Sequence, residues 1–440
     1  MKRIAVAIIL LAVAGAWADQ DIESRVTESK LKNGLEVIIY VDSSAPVVST
    51  DVFYQVGSYD EHPGITGLSH MLEHMSFKHT DIYKPGDFDR IVDSVGGNNN
   101  GFTSDYYTGY YEDFSSDRWE MALKIEAARM AKCIFPDSEF ESEHQVVSEE
   151  QRLQENRPMS AFYVQLGAMA TLAHPLRNPT VGWADDVKHF TVGAVRDWYQ
   201  RHYNPANAVL VISGDVRPAD AKLKVEKHFG KLPGTPVVRA DFYNIEPKQI
   251  GERRLLMRRR VKVPQMLMVW HTPGIRDSSY VAGDVLAGIL VQGRNSRLYK
   301  TLVTDSGLAV SVGGYNYVER DPDLLRIYIT PAAESLIPRI EKLVDAEIER
   351  AKAEPASTRE MERVKNGVLA GQVFNRDDVS GMAYLLASSQ ILAGTWRDYE
   401  IYPERIQRVT KQQVQDFCKA YLTDENRTTG ILLPEKKEGR

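Results

Sequence analysis

Residues 64–78 read GITGLSHMLEHMSFK, and their pattern predicts a helix that carries two histidines and a glutamate. His70 and His74 are four residues apart, so both imidazoles project from one face about one turn apart. Two nitrogens at this separation can share one zinc ion. Glu73 lies on the same side, where its carboxylate can reach a water molecule on that ion without being a ligand. The order of residues is the zincin motif read in the opposite chain direction.

The motif alone is equally compatible with a helix that carries two unrelated surface histidines. A catalytic zinc site needs a third protein ligand and an open fourth position, and residues 139–155 supply carboxylates in excess. Glu143 and Glu150 are seven residues apart and nearly in register on one helix face, whereas Glu149 is rotated by about 100° from Glu150. We therefore predict that Glu150 is the third ligand and that Glu143 orients a ligand or assists proton transfer. An exposed acidic helix without a metal is the alternative.

The bulk composition is that of an ordinary globular protein. Of the 440 residues, 43% are hydrophobic and 26% are charged, which excludes disordered and fibrous classes. A net charge of −6 gives no general attraction to nucleic acid, and the short run Arg258, Arg259 and Arg260 predicts a solvated strand start. Cys133 and Cys418 lie far apart in the chain, so we expect buried free thiols rather than a disulfide.

The N-terminus has the pattern of a bacterial export signal. Positive residues at 2–3 precede an apolar core at 4–14, and residues 16–18 (AWA) predict cleavage before Asp19. The apolar core is shorter than a spanning helix requires, and an uncleaved membrane anchor is the alternative. No later segment has the length of an apolar span, so we expect a periplasmic mature chain without an integral membrane segment.

The order of predicted elements repeats along the chain. The Asn33-Gly34 pair between apolar stretches predicts a hairpin turn, and a strand, a Gly/Pro turn and a helix then follow in both halves. We predict an α+β fold of two similar domains, each a mostly antiparallel sheet flanked by helices, related by internal duplication. The predicted divisions are a signal peptide at 1–18, a catalytic zinc-binding domain at 19–232, a linker at 233–251 and a C-terminal metallopeptidase-like domain at 252–440.

Several further stretches in chain order carry a resemblance to a known family. They are residues 57–61 (GSYDE), 64–78, 96–104 (GGNNNGFTS), 143–156 (EHQVVSEEQRLQEN) and 203–208 (YNPANA). Together they resemble the pitrilysin/insulinase family of inverzincin metallopeptidases. The half-length members, the group that includes the mitochondrial processing peptidase subunits, are the most similar. This resemblance implies one zinc ion per chain.

The family pattern also assigns the site residues. It places the zinc ligands at His70, His74 and Glu150, in agreement with the argument from helical phase. It places the base at Glu73 and a supporting acid at Glu143. The function implied is a zinc-dependent endopeptidase.

The resemblance further implies a mode of substrate binding. Extended peptides would add a strand to an exposed sheet edge, where Asn100, Gly101 and Phe102 would contact the substrate backbone. Turn chemistry after Gly97 is an equally acceptable role for Asn100.

This chain departs from the family pattern at two positions. In active members an arginine and, seven residues later, a tyrosine of the C-terminal domain contact the substrate carbonyl, but the matching positions hold Val303 and Val310. Valine donates no hydrogen bond to a developing oxyanion, so a contribution of roughly a few kcal/mol is missing. Arg297 and Tyr299 belong in that pattern to a helix that packs the domain. We therefore predict a heterodimer in which a homologous partner subunit supplies both groups, and a homodimer is the alternative.

Two other classes of function are compatible with this fold. One is a non-catalytic assembly subunit, and the other is a peptide-binding clamp in which zinc is structural. A scaffold has no need of the complete set of His70, Glu73, His74 and Glu150, so the set favours the enzyme.

Overall fold

A computed structural model of the protein describes residues 22–237, 246–376 and 378–436. The predicted signal peptide at 1–18 and its cleavage site lie outside the described residues, as does the middle of the predicted linker at 233–251. Across the described ranges, every helix is too short or too polar to span a membrane.

The first sheet is built from residues of the N-terminal half. Its strands are β1 (Val26–Lys30), β2 (Glu36–Val41), β3 (Val47–Tyr54), β4 (Asn98–Thr103), β5 (Thr108–Ser115) and β6 (Ala208–Gly214). They lie in the order β1-β2-β6-β3-β5-β4, and only the β2–β6 pair is parallel. The predicted hairpin turn at Asn33-Gly34 joins β1 to β2, and Gly34 has the positive φ of 96° that such a turn requires.

The second sheet repeats this arrangement. Its strands are β7 (Arg253–Arg259), β8 (Gln265–Thr272), β9 (Ala309–Asn316), β10 (Asp323–Pro331) and β11 (Arg427–Pro434). They lie in the order β9-β10-β8-β11-β7, with β11 and β7 parallel. The two sheets have the same strand order when the strands correspond as β4 to β9, β5 to β10, β3 to β8, β6 to β11 and β2 to β7. The first sheet has β1 as an additional edge strand. The predicted α+β class with two similar, mostly antiparallel halves is confirmed.

Helices of eight or more residues are numbered here in chain order. They are α1 (Leu68–Met75), α2 (Asp87–Ser94), α3 (Glu120–Lys132), α4 (Asp137–Asn156), α5 (Pro158–Ala170), α6 (Val192–His202), α7 (Pro218–Phe229), α8 (Tyr280–Leu290), α9 (Ile337–Ala353), α10 (Thr358–Asn375), α11 (Val379–Ala393), α12 (Arg397–Arg408) and α13 (Lys411–Tyr421). A two-stranded sheet pairs His79–Thr80 with Cys133–Ile134. Both cysteines are free, with Cys418 buried as expected and Cys133 only half-buried.

Two helices are exchanged between the halves. Helix α5 follows the first sheet in sequence, yet its Phe162 and Leu166 pack on Leu267 and Leu432 of the second sheet. Helix α11 belongs to the C-terminal half, yet it covers β3 and β6 of the first sheet. Each half therefore contributes a helix that covers apolar surface of the other half's sheet. Burial of this apolar surface stabilises the association of the two halves.

A buried ionic cluster supports the end of α1. The side chains of Arg129, Glu112 and Glu126 are all 0% exposed, and the guanidinium of Arg129 pairs with both carboxylates. Arg129 also stacks on the ring of Tyr110 at 4.1 Å and donates through Nε to the carbonyl oxygen of Ser76 at 3.4 Å. Ser76 is the C-cap of α1, so a cation lies at the negative end of this helix.

Candidate active site

Helix α1 begins at a tightly fixed turn. Its N-cap Gly67 has φ of +89°, and a side chain there would lie 2.4 Å from the carbonyl oxygen of Val181. Glu61 is 1% exposed, and its carboxylate accepts from the backbone N–H groups of Gly67 at 2.6 Å and Ser69 at 2.7 Å. A carboxylate at this end of the helix satisfies free N–H groups and complements the helix dipole. The first turn, which carries His70, is thereby held in one orientation.

Three predicted zinc ligands converge on one point. The Nε2 atoms of His70 and His74 lie 3.7 and 3.4 Å from Oε2 of Glu150, which projects from α4. Ligand atoms of these three residues all lie within 4.8 Å of one another, and they form the one such group among the described residues. Two imidazoles and a carboxylate are a donor set that zinc prefers, and they leave a fourth position open. The residues present therefore fit a zinc ion.

The pKa values of the two imidazoles are shifted in opposite directions. Burial and the neighbouring His74 lower the pKa of His70 to about 3, so its ring is neutral at physiological pH. The Nδ1 atom of His70 is buried and has no hydrogen-bond partner among the residues that the structure describes. Burial lowers the pKa of His74, but the hydrogen bond with Glu143 and the nearby Glu150 carboxylate outweigh it and raise the pKa. A divalent cation held by the two rings and Glu150 would replace the proton that His74 carries when its ring is charged.

Glu143 contacts the Nδ1 side of the His74 ring, whereas Nε2 faces Glu150. Its Oε1 lies 2.9 Å from Nδ1 of His74, and its Oε2 lies 2.5 Å from Nζ of Lys78. Burial alone would raise the pKa of Glu143, but the hydrogen bonds with His74 and Lys78 lower it. An ionised carboxylate at Nδ1 leaves Nε2 of the ring free to face Glu150, which is the usual support of a metal-binding histidine.

Glu73 lies beside the convergence point without joining it. The residue is 8% exposed, and its Oε2 accepts a hydrogen bond of 2.6 Å from Oγ1 of Thr103. Burial raises the pKa of Glu73, and the bond from Thr103 opposes that shift. A raised pKa brings a carboxylate closer to the range in which it can both accept and return a proton.

The neighbouring acid on α4 has a different environment. Glu149 forms two hydrogen bonds with Arg152 on the exposed side of the helix, away from the histidines. Glu150 is the carboxylate that the structure brings to His70 and His74. The rotation of about 100° between successive helical residues separates the two side chains.

The predicted substrate-binding residues lie on β4, the edge strand of the first sheet. Asn100 is exposed, and its Oδ1 accepts from the backbone N–H of Gly101 at 2.9 Å. The ring of Phe102 packs on Phe53 and on Tyr384 of α11, on the opposite face of the sheet from Thr103. A peptide added to this edge would therefore meet the backbone of these residues rather than the Phe102 ring.

The two valines of the C-terminal half differ in exposure. Val310 is 63% exposed on the edge strand β9, whereas Val303 packs against the second hydrophobic core. Arg297 forms two hydrogen bonds with Glu360, at 2.7 and 3.0 Å, and its side chain is 9% exposed. Its packing role matches the expectation from the family pattern, so it is not free to replace a missing substrate contact.

Comparison with known proteins gives the family. The family described as Insulinase (Peptidase family M16) matches residues 36–182, and the family described as Peptidase M16 inactive domain matches residues 189–368. The chain belongs to the M16 peptidase family. The M16 match at 36–182 includes the whole convergence point, from His70 to Glu150.

Relatives of this M16 chain are named as zinc proteases. The zinc protease PqqE of Helicobacter pylori is 28% identical over 97% of both chains, and the uncharacterized zinc protease YmxG of Bacillus subtilis is 23% identical. A solved protease structure from Helicobacter pylori superposes with a TM-score of 0.87 over 93% of this chain and 99% of that one. The periplasmic protease PqqL of Escherichia coli has the same fold, with a TM-score of 0.79, over 47% of its length.

Three contributors to the M16 site were missed by the reasoning from sequence. Lys78, Thr103 and Glu61 all lie inside the stretches that carry the resemblance, but no role was predicted for them. Lys78 lies beyond the end of α1 at Met75, so helical spacing alone does not place it beside Glu143. The contact of Thr103 and the cap from Glu61 join residues that a sequence pattern does not pair.

Proposed function

We propose that this chain is a zinc-dependent endopeptidase that hydrolyses extended, unstructured peptides. The observation that carries the proposal is the convergence of His70, His74 and Glu150 beside the buried carboxylate of Glu73. The names of the M16 relatives support zinc and proteolysis.

The proposed reaction divides its tasks among the residues of the chain. When bound, a zinc ion would polarise the scissile carbonyl and lower the pKa of a water molecule. Glu73 accepts a proton from that water through Oε1, since Oε2 is occupied by Thr103, and returns it to the leaving amine. Glu143 keeps the ring of His74 oriented. The edge strand β4 holds the peptide as an added strand through the backbone of residues 100–102.

The proposed function is tested by metal binding and peptide cleavage together. We expect one zinc per chain, loss of cleavage of a fluorogenic peptide in a chelator, and recovery with added zinc. Glu150→Gln should weaken zinc binding by about 100-fold, because a direct ligand matters at least as much as the groups that orient ligands. Glu149→Gln is the matched control and should bind zinc like the parent chain. Cleavage that continues in the chelator would contradict the proposal.

We further propose that the M16 partner of this chain is a homologous subunit that supplies an arginine and a tyrosine. Val303 and Val310 stand where those residues are expected, and Arg297 is already paired with Glu360. The fold of this chain accounts for 47% of PqqL, so a chain of that length has room for a second such unit.

We place the activity in the bacterial periplasm. The pattern of residues 1–18 supports export, and the structural neighbour PqqL of Escherichia coli is a periplasmic protease. The mature protein recovered from a periplasmic fraction should begin at Asp19 in N-terminal sequencing. A full-length chain that remains with the membrane would show an uncleaved anchor instead.

A further inference from the structure

A hydroxyl on the edge strand reaches the carboxylate of the proposed base. Thr103 is the last residue of β4, and its Oγ1 donates to Oε2 of Glu73 at 2.6 Å. This length is typical of a hydroxyl bonded to an ionised carboxylate, which is among the stronger hydrogen bonds in proteins. Among the described residues, Thr103 is the side chain that donates a hydrogen bond to Glu73.

The strand that carries Thr103 packs close to α1, and the hydroxyl of the paired residue has a separate partner. Thr103 lies opposite Thr108 of β5, whose buried Oγ1 donates to the carbonyl oxygen of Val56 at 2.9 Å. Two residues earlier, a side chain at Gly101 would lie 2.9 Å from the ring of Phe77, just beyond the end of α1. The absence of a side chain at Gly101 therefore allows β4 to pack close to the end of the helix that carries Glu73.

A glutamate needs such a support if it is to act as a base. Its side chain has three torsions, and the last of them is only weakly restricted. The bond from Thr103 to Oε2 restricts the orientation of the carboxylate and leaves Oε1 outside that bond. Groups held close to the productive geometry react faster than mobile ones.

We propose that Thr103 is a positioning residue that aims Glu73, so that the strand which binds the peptide also orients the base. This inference rests on the proposed peptidase function. The same strand would present the substrate backbone through residues 100–102 and the hydroxyl through the next residue. A purely structural role is the competing explanation, in which the hydroxyl only satisfies a buried carboxylate.

The two explanations predict different behaviour of Thr103→Val and Thr103→Ser. Valine keeps the shape and the β-branch but removes the hydroxyl, whereas serine keeps the hydroxyl. We expect Thr103→Val to lower kcat about 10- to 100-fold, with KM and zinc content within about twofold of the parent chain. Thr103→Ser should recover kcat to within about threefold. In a Glu73→Gln background, Thr103→Val should produce no further loss, because the hydroxyl then has no base to orient.

A second variant and a second readout make the test decisive. Thr108→Val removes a hydroxyl from the residue directly opposite and should lower stability while kcat stays unchanged. A crystal structure of zinc-loaded Thr103→Val should show the Glu73 carboxylate turned from its present orientation. An unmoved Glu73, an unchanged kcat, or a loss that serine fails to restore would each overturn the proposal. A parent chain that binds zinc but cleaves no peptide even with its partner subunit added would contradict the peptidase function itself, and the orientation of Glu73 would still decide the role of Thr103.

Discussion

Replacing Glu73 by glutamine is expected to lower kcat for peptide cleavage by about 1,000-fold while one zinc ion per chain is retained. The amide is nearly the same size as the carboxylate and can still accept the hydrogen bond from Thr103. It cannot take a proton from water, which is the task that the proposed mechanism gives to Glu73. Because Glu73 is not among the converging ligand atoms, zinc binding should be unaffected. Peptide turnover and metal content measured on the same preparations check both statements.

A variant that keeps the charge provides the control for this experiment. Glu73→Asp retains the carboxylate but shortens the side chain by one methylene, so its oxygens should fall short of Thr103 and of the water. Its kcat should also drop by at least about 100-fold, since position as well as basicity is required. Substantial residual cleavage by Glu73→Gln would exclude Glu73 as the base. A parent chain that binds peptides but cleaves none with its partner present would favour the clamp, and a parent chain that neither binds nor cleaves peptides would favour the assembly subunit.

The lone chain is expected to cleave unfolded peptides poorly and to gain about 100- to 1,000-fold in kcat/KM when its partner subunit is added. Donors aimed at a developing oxyanion contribute about this much in other hydrolases. The exposed Val310 and the packed Val303 offer no donor in this chain. Steady-state cleavage of a fluorogenic peptide, with the partner titrated at fixed zinc, measures the gain.

The partner itself provides the matched control. Replacing its arginine and tyrosine by valine should preserve assembly, measured by sedimentation, and remove most of the gain in kcat/KM. High activity of the purified chain without any partner would contradict the split site. A homodimer of this chain carries valine at both positions in each copy, so dimerisation of the chain alone should leave the activity low.

Local patterns were sufficient for most of the elements that carry the proposed site. The spacing of His70 and His74 and the phase of Glu150 depend only on helix geometry, which a 3.6-residue period fixes. The Asn33-Gly34 turn was likewise predicted from a local pattern. The Thr- and Tyr-rich residues 101–114 predict a strand, but the structure contains the hairpin of β4 and β5 there. A run of Thr and Tyr indicates extended chain, but the bend at 104–107 has no glycine or proline to mark it.

The exchanged helices show where local reasoning fails. Helix α5 packs on a sheet that begins more than eighty residues later, and α11 packs on strands that precede it by more than one hundred and fifty residues. An apolar helix face specifies that something must cover it, but not which sheet does so. The choice depends on the shapes of both halves after they have folded.

The sequence by itself determined the repeated α+β plan, the two imidazoles on one helix face and the carboxylate whose phase matches them. These features follow from backbone geometry over a few turns of chain. Only the tertiary structure decided that Glu61 caps α1, that Lys78 pairs with Glu143, and that Thr103 reaches Glu73 from a neighbouring strand. Such contacts depend on how separate elements pack. A hydrogen bond requires a donor and an acceptor about 3 Å apart, and residues distant in sequence reach that separation only in the folded chain.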